Sequence, residues 1–207
     1  MAHKEKNMPR KIKDGRLIYH LTALENLPSI LEHGLKSRSA LSRTNFEDIA
    51  DHEIITSRKQ NGLEDLIPFH FFSKTPFDYA VQYNHRELPF VLITVKRDYA
   101  SKNNWRIIPS HPLSGQAPNI MDYKSGFDAI NWDLMESEHH RYDTDPEYKQ
   151  TCMAECLSES TVDAKNFHSI LVRREDDGRK VRTMLNNFGL RMPVSYTHLT
   201  LPTNREV

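Results

Sequence analysis

Among its 207 residues the chain has only two cysteines, no apolar run near the ~18 residues that cross a bilayer, and no excess of either charge. Cys152 and Cys156 are too few for a disulfide framework and lack the Cys-x-x-Cys redox spacing, which predicts reduced thiols. The first dozen residues are basic but carry no apolar signal-peptide core, so a soluble, cytoplasmic protein away from membranes is expected. With 28 basic and 28 acidic residues the formal net charge is zero, which disfavours a broad, salt-sensitive grip on duplex DNA. A narrow groove that holds a few single-stranded nucleotides by stacking and local cations stays open. Also missing are a glycine-rich dinucleotide fingerprint, a phosphate-binding loop and a Gly-x-Ser-x-Gly elbow. Any dinucleotide bound here is therefore not held in the Rossmann manner. His139, His140, Cys152 and Cys156 lie near one another without a zinc spacing, and no metal is expected.

The length suits one domain, and no internal repeat divides it. Residues 1–16 read as a flexible basic segment and 17–194 as the single domain. The tail 195–207, SYTHLTLPTNREV, resembles translated sequencing-adapter DNA and is expected to be non-native, with the natural chain cut near Val194. Within the domain, strands are predicted at 17–22, 66–72, 90–95, 153–157 and 168–172, and helices at 25–32, 52–59, from Thr75-Pro76 onward, and at 175–187. Pro68 predicts an edge or a bulge for the second strand. Residues 36–53 read as polar and irregular, 109–126 as a long proline- and glycine-bearing loop, and 128–148 as a charged, histidine-rich stretch.

Side chains two apart on a strand share a face, so His20 and Thr22 point together while Tyr19 and Leu21 point away. The strand runs straight into a helix stopped by Gly34, an arrangement by which some enzymes grip NAD. Cleaving the nicotinamide from NAD leaves positive charge on the ribose, which calls for a carboxylate nearby and donors for the diphosphate. Glu155 shares its strand face with Met153 and Leu157, a partly apolar setting that desolvates a carboxylate; the bland alternative is an edge-strand glutamate paired with a lysine. Arg58 offers a fixed fork of donors, or is a solvated helix residue. His20 is a nucleotide ligand or a satisfied core histidine. Phe127, Trp132, Tyr142 and Tyr148 either stack a base or belong to the core.

Three stretches taken together resemble a known family. Ile18-Tyr19-His20-Leu21-Thr22 with Asn26-Leu27-Pro28-Ser29-Ile30-Leu31 and Gly34-Leu35, then Ile67-Pro68-Phe69-His70-Phe71-Phe72-Ser73-Lys74-Thr75-Pro76 with Tyr79-Ala80, then Ala154-Glu155-Cys156-Leu157, are similar to motifs of the DarT DNA ADP-ribosyltransferase toxins. They occur in the family's order across most of residues 17–194. The resemblance implies an α+β, ADP-ribosyltransferase-like fold of split, twisted, mainly antiparallel β-sheets flanked by helices. It implies NAD as co-substrate, no metal, and transfer of ADP-ribose to a base, thymine, in single-stranded DNA. A DarG-like macrodomain antitoxin that removes the mark is the implied partner. Carried over by position, Glu155 and Arg58 become catalytic, and His20, Leu21 and Thr22 become the NAD-gripping strand. Ser29, Ser37 and Arg58 add NAD contacts, and residues 126–150 take the place of the element that presents the base. Two departures stand out: Ser158-Glu159-Ser160 follows the glutamate strand at once, and the adapter-like tail replaces the family's closing segment. An ADP-ribosyltransferase acting on RNA or protein, and a non-catalytic nucleotide-binding module, are the rival expectations.

Overall fold

Period-two alternation makes the strands, and where their ladders run or stop decides the shape. The computed structural model describes residues 11–41, 52–112 and 117–197. Parts of the basic segment (1–10), the irregular stretch (42–51), the proline-bearing loop (113–116) and the tail (198–207) lie outside the described residues. β1 (Leu17–Ala23) turns Ile18 into the main core and Leu21 and Ala23 into a smaller cluster on the other face. With it, β2 (Ile67–His70), β3 (Phe90–Lys96), β4 (Arg106–Ile108), β5 (Met121–Asp122), β6 (Glu155–Ser158), β7 (Ser169–Val172) and β8 (Val194–Tyr196) form one sheet. Its order is β5-β4-β6-β2-β1-β3-β7-β8, and all pairings are antiparallel except β7 with β8. The α+β class with a mainly antiparallel sheet is as expected.

The sheet has a seam. β1 pairs β3 from Leu17↔Lys96 to Ala23↔Phe90, yet it pairs β2 only at Tyr19↔His70. Continuing that register would set Leu21 opposite Pro68, which has no N–H to donate. Instead the Nδ1 of His20 lies 2.8 Å from the Pro68 carbonyl oxygen, so a side chain takes the place of the ladder. The expected edge or bulge at Pro68 is thus corrected. β2 is interior, between β1 and β6, and the proline is tolerated because the ladder ends beside it. The strand is also shorter than 66–72, while Phe69 and Phe71 are buried together in the core.

Helices cover the sheet. A short 3-10 turn at Leu24–Asn26 leads into α1 (Leu27–His33), which buries Leu27, Ile30 and Leu31. Gly34 ends it at φ 78° and ψ 164°, a conformation open to glycine, and Leu35 and Val162 then exchange two 2.9 Å backbone bonds. α2 (His52–Gln60) follows the undescribed stretch. α3 (Pro76–Asn84) starts from a capping box in which Thr75 Oγ1 accepts from the Asp78 N–H and Asp78 accepts from the Thr75 N–H. α4 (Arg97–Lys102) extends β3, α5 (Tyr123–Ala129) begins at the end of the expected loop, and α6 (Trp132–Met135) and α7 (Pro146–Thr151) lie in and just past the charged, histidine-rich stretch. α8 (Glu175–Asn187) buries Val181 and Leu185 and coincides with the expected bounds.

Two terminal expectations change. Arg97 is 6% exposed and donates to the carbonyls of Ile12, Lys13, Leu17 and Phe71 at 2.8–3.1 Å. Residues 11–16, expected to be flexible, are pinned by that guanidinium, which also lies over the rings of Phe71, Phe127 and Trp132. At the other end the boundary drawn at Val194 cuts through β8. Ser195 and Tyr196 pair with Leu171 and Val172, and the Tyr196 hydroxyl accepts from Arg182 at 2.8 Å. Gly178 makes room for that ring, since a Cβ there would sit 2.9 Å from the tyrosine oxygen.

Candidate active site

Four elements bring the predicted residues together across the seam. β1 supplies His20, Leu21 and Thr22, α1 and the turn after it supply Ser29 and Ser37, α2 supplies Arg58, and β6 supplies Glu155. All seven line one cavity of about 250 Å³, on the order of a small-molecule site.

On one wall Arg58 Nη1 donates to both carboxylate oxygens of Glu155 at 2.9 Å. Glu155 is 4% exposed, and its strand lies between β4 and β2 with Ile108 and His70 as its register partners. The edge-strand alternative therefore falls, and the partner is an arginine rather than a lysine. Nη1 occupies one lone-pair site on each oxygen, which leaves acceptor capacity on the cavity side. Arg58 Nη2 is buried and has no hydrogen-bond partner among the described residues. A buried unpaired donor carries a desolvation cost of about 1–3 kcal/mol that an acceptor in the cavity would relieve.

His20 lines the same cavity while its ring is also bonded to the Pro68 carbonyl. Burial, with smaller effects from the Pro68 carbonyl, His70, Arg58 and Glu155, holds its imidazole down at about 4, so the ring is neutral near pH 7. A carbonyl can only accept, hence Nδ1 carries the proton toward Pro68 and Nε2 is left as an acceptor. Thr22 Oγ1 accepts from Asn26 Nδ2 at 3.2 Å, which frees the threonine proton for a ligand. Ser37 and Ser39 hydroxyls lie 3.2 Å apart at the rim.

The cavity also contains residues the sequence reading passed over. His70 lines it, with Nδ1 3.2 Å from the Ala154 carbonyl; the alternation that buries Phe69 and Phe71 also turns Pro68 and His70 to the cavity. His111 and Arg38 line it too, and burial lowers both from their ordinary ranges. His111 sits in the proline-bearing loop already singled out. Of the aromatic set, Trp132 is buried with Phe127 and Phe71 packed on it, and Tyr142 and Tyr148 stack on each other outside the cavity lining. Both cysteines are free and buried, and burial pushes Cys152 up to about 11, which keeps its thiol protonated. Among the described residues no group of three or more His, Cys, Asp or Glu is placed to hold a metal ion.

One carboxylate, one guanidinium with a spare donor, and a neutral imidazole acceptor around a cavity suit a sugar whose anomeric carbon gains positive charge. Comparison with known proteins points the same way. A DNA ADP-ribosyl transferase-DNA ADP-ribosyl glycohydrolase fusion protein of Thermosipho africanus is 23% identical over 201 residues, 93% of this chain and 51% of that protein. The chain thus spans about half the length of that curated relative. In fold, it is similar to Thermus sp. 2.9 DarT in complex with ADP-ribosylated ssDNA, with a TM-score of 0.77 at 20% identity, covering 92% of this chain and 98% of that one. Thermus sp. 2.9 DarT in complex with NAD+ gives 0.72 at 19% identity, over 89% and 96% of the two chains. Thermosipho africanus DarTG in complex with ADP-ribose gives 0.70 at 20% identity, over 88% and 50%. The family model for the ssDNA thymidine ADP-ribosyltransferase DarT matches residues 19–198, a span that holds every residue of the cavity wall, and the chain belongs to that family.

Proposed function

We propose that this chain transfers the ADP-ribosyl group of NAD to a thymine base in single-stranded DNA. In this reading Glu155 and Arg58 are the catalytic pair, and His20, Leu21, Thr22, Ser29 and Ser37 hold the co-substrate. The carrying observation is the meeting of Arg58 and Glu155, 97 positions apart, in the cavity that His20 and Thr22 also line. The residues fit NAD because the cavity offers an orphaned guanidinium donor for an anionic or hydroxyl oxygen and an imidazole acceptor for a ribose hydroxyl.

NAD supplies the group transferred: its bond from the anomeric carbon to nicotinamide breaks with the electron pair leaving on nicotinamide, a thymine nitrogen bonds to that carbon, and the nitrogen's proton is released. Glu155 stabilises the positive charge that grows on the sugar. Arg58 holds Glu155 in place and stabilises the thymine as it becomes anionic; a delocalised guanidinium acts as a fixed cation rather than a base. His20, fixed in one tautomer, orients the ribose.

Among the described residues no helix is long and apolar enough to cross a membrane. We place the activity in the cytoplasm, where NAD and DNA meet. The Thermosipho africanus relative joins its transferase to a DNA ADP-ribosyl glycohydrolase, which supports a DarG-like macrodomain antitoxin as the partner that reverses the mark. The test is incubation with NAD and single-stranded DNA, RNA or protein, read by mass shift and nicotinamide release. The expected outcome is one ADP-ribosyl increment on thymidine-containing DNA, absent with Glu155→Ala. Transfer to RNA or protein alone would reassign the substrate, and NAD-dependent thermal stabilisation without nicotinamide release would make the chain a binding module.

A further inference from the structure

α3 connects the cavity to a second cleft. At its first turn Phe77 lines the active-site cavity, its ring centroid 6.0 Å from that of His70. Val81 and Phe77 pack on the sheet, so the helix is anchored on that face. Tyr79 and Tyr83, four residues apart, share another face. Tyr83 is 60% exposed, and the Arg86 guanidinium, just past the helix end, lies over its ring at 4.3 Å. Arg86 in turn lines a small cleft with His85, Arg173 and Arg174. Both of these last arginines are exposed and have no acidic partner within 4 Å among the described residues, while the buried Asp177 in the same cleft faces Lys180 at 3.8 Å. Tyr79 meets Tyr142 at 6.1 Å, and Tyr142 stacks on Tyr148 at 5.2 Å with planes 17° apart.

From Phe77 in the cavity lining, α3 therefore carries Tyr79 and then Tyr83 toward three arginines. Aromatic faces followed by cations is how single-stranded nucleic acid is held without reading its sequence, each stacked base contributing ~1–3 kcal/mol. Nine helical residues span about 14 Å, or about four nucleotides at the ~3.4 Å stacked rise. We propose that the outward face of α3, with Arg86, Arg173 and Arg174, is a track for the nucleotides flanking the target thymidine. It rests on the reading of single-stranded DNA as substrate and adds a sequence-independent grip outside the cavity. In a chain with no net charge, it also gathers three arginines beyond the far end of the helix that starts at the cavity.

The experiment compares wild type, Tyr83→Ala and the Arg173→Ala/Arg174→Ala double variant on a short oligonucleotide around the target thymidine and on ones extended by roughly six nucleotides on the 5′ or the 3′ side. These side chains are exposed, so melting temperatures stay unchanged. The wild type is expected to show a lower KM for one extended oligonucleotide than for the short one. Tyr83→Ala should raise the KM of that oligonucleotide about tenfold, one lost base stack, with kcat, the KM for NAD and the short-oligonucleotide KM unmoved. The double-arginine variant should lower the salt dependence of that KM by about two ion equivalents. If wild type modifies DNA but the variants treat extended oligonucleotides as it does, the track is overturned, including the case in which this patch docks an acidic protein instead. A wild type that modifies no DNA overturns the substrate reading itself.

Discussion

Glu155→Gln keeps the length of the side chain and removes its charge. In the folded protein the carboxylate is 4% exposed and takes both bonds from Arg58 Nη1 at 2.9 Å. Deleting one partner of a buried ion pair costs ~3–5 kcal/mol, because the other charge stays uncompensated. Arg58 keeps 14% of its side chain exposed, and glutamine still offers a carbonyl acceptor, so the cost here falls to about 2 kcal/mol. For a domain of this size that lowers the melting temperature by about 4–8 °C. Turnover should suffer more. Removing a preorganised group aimed at developing charge costs a factor of ~10²–10³ in kcat. Nicotinamide release with single-stranded DNA present and calorimetric melting, measured on wild type, Glu155→Gln, Arg58→Met and the double variant, separate the two effects. Arg58→Met strands a buried carboxylate, so adding Glu155→Gln to it should raise the melting temperature again. Wild-type turnover in a folded Glu155→Gln protein would refute the electrostatic role, and a double variant whose stability loss equals the sum of the single losses would refute the coupling.

His20 makes stability depend on pH. Its folded pKa of about 4 lies below the ordinary 6.5, so between these values the unfolded chain binds more protons, and its contribution, at most about 3 kcal/mol, is lost as pH falls through that window. Urea midpoints should therefore drop more for wild type than for His20→Asn between about pH 7 and about pH 4.5; equal drops would mean the ring is not desolvated. Gly34→Ala forces a side chain into φ 78° and sets its Cβ 2.6 Å from Thr161 Cγ2, for an expected loss of about 2 kcal/mol by chemical denaturation. Because Gly34 lines the cavity, the variant should also show a smaller NAD-dependent rise in melting temperature. Arg97→Lys cannot reproduce four carbonyl contacts from one planar group, and limited proteolysis should then cleave within residues 11–16 faster than in wild type; unchanged cleavage would show that the guanidinium does not pin them.

What was legible in the sequence was local. Alternation put His20 and Thr22 on one face of β1, and the helix expected at 175–187 is α8. Pro68 was misread because the preference of proline for edges is a local rule, whereas the interruption it creates between β1 and β2 depends on which strand arrives from afar. No spacing links Arg58 to Glu155 across 97 positions; each was singled out for its own chemistry and again by the family resemblance, and their bond emerged from the fold. Arg97 looked like one basic residue among many, since its partners are backbone carbonyls of the distant segment 12–17 and of Phe71. The adapter-like look of the tail drew the boundary at Val194, but a strand needs only backbone partners, and β7 offered them to Ser195 and Tyr196.

The seam beside Pro68 divides the sheet into two plates, β5-β4-β6-β2 and β1-β3-β7-β8, hinged at Tyr19↔His70. Glu155 rides on one plate and His20 on the other. A molecule lodged between them is a rivet: whatever free energy it gains from binding is also cohesion between the plates. Amide exchange along β1 and β2 should then slow on loading the cavity by up to the factor 1 + [L]/Kd, the rate equivalent of a stabilisation of RT ln(1 + [L]/Kd), with strands far from the seam responding least. The proline that denies the sheet its ladder thus hands part of its mechanical integrity to the substrate.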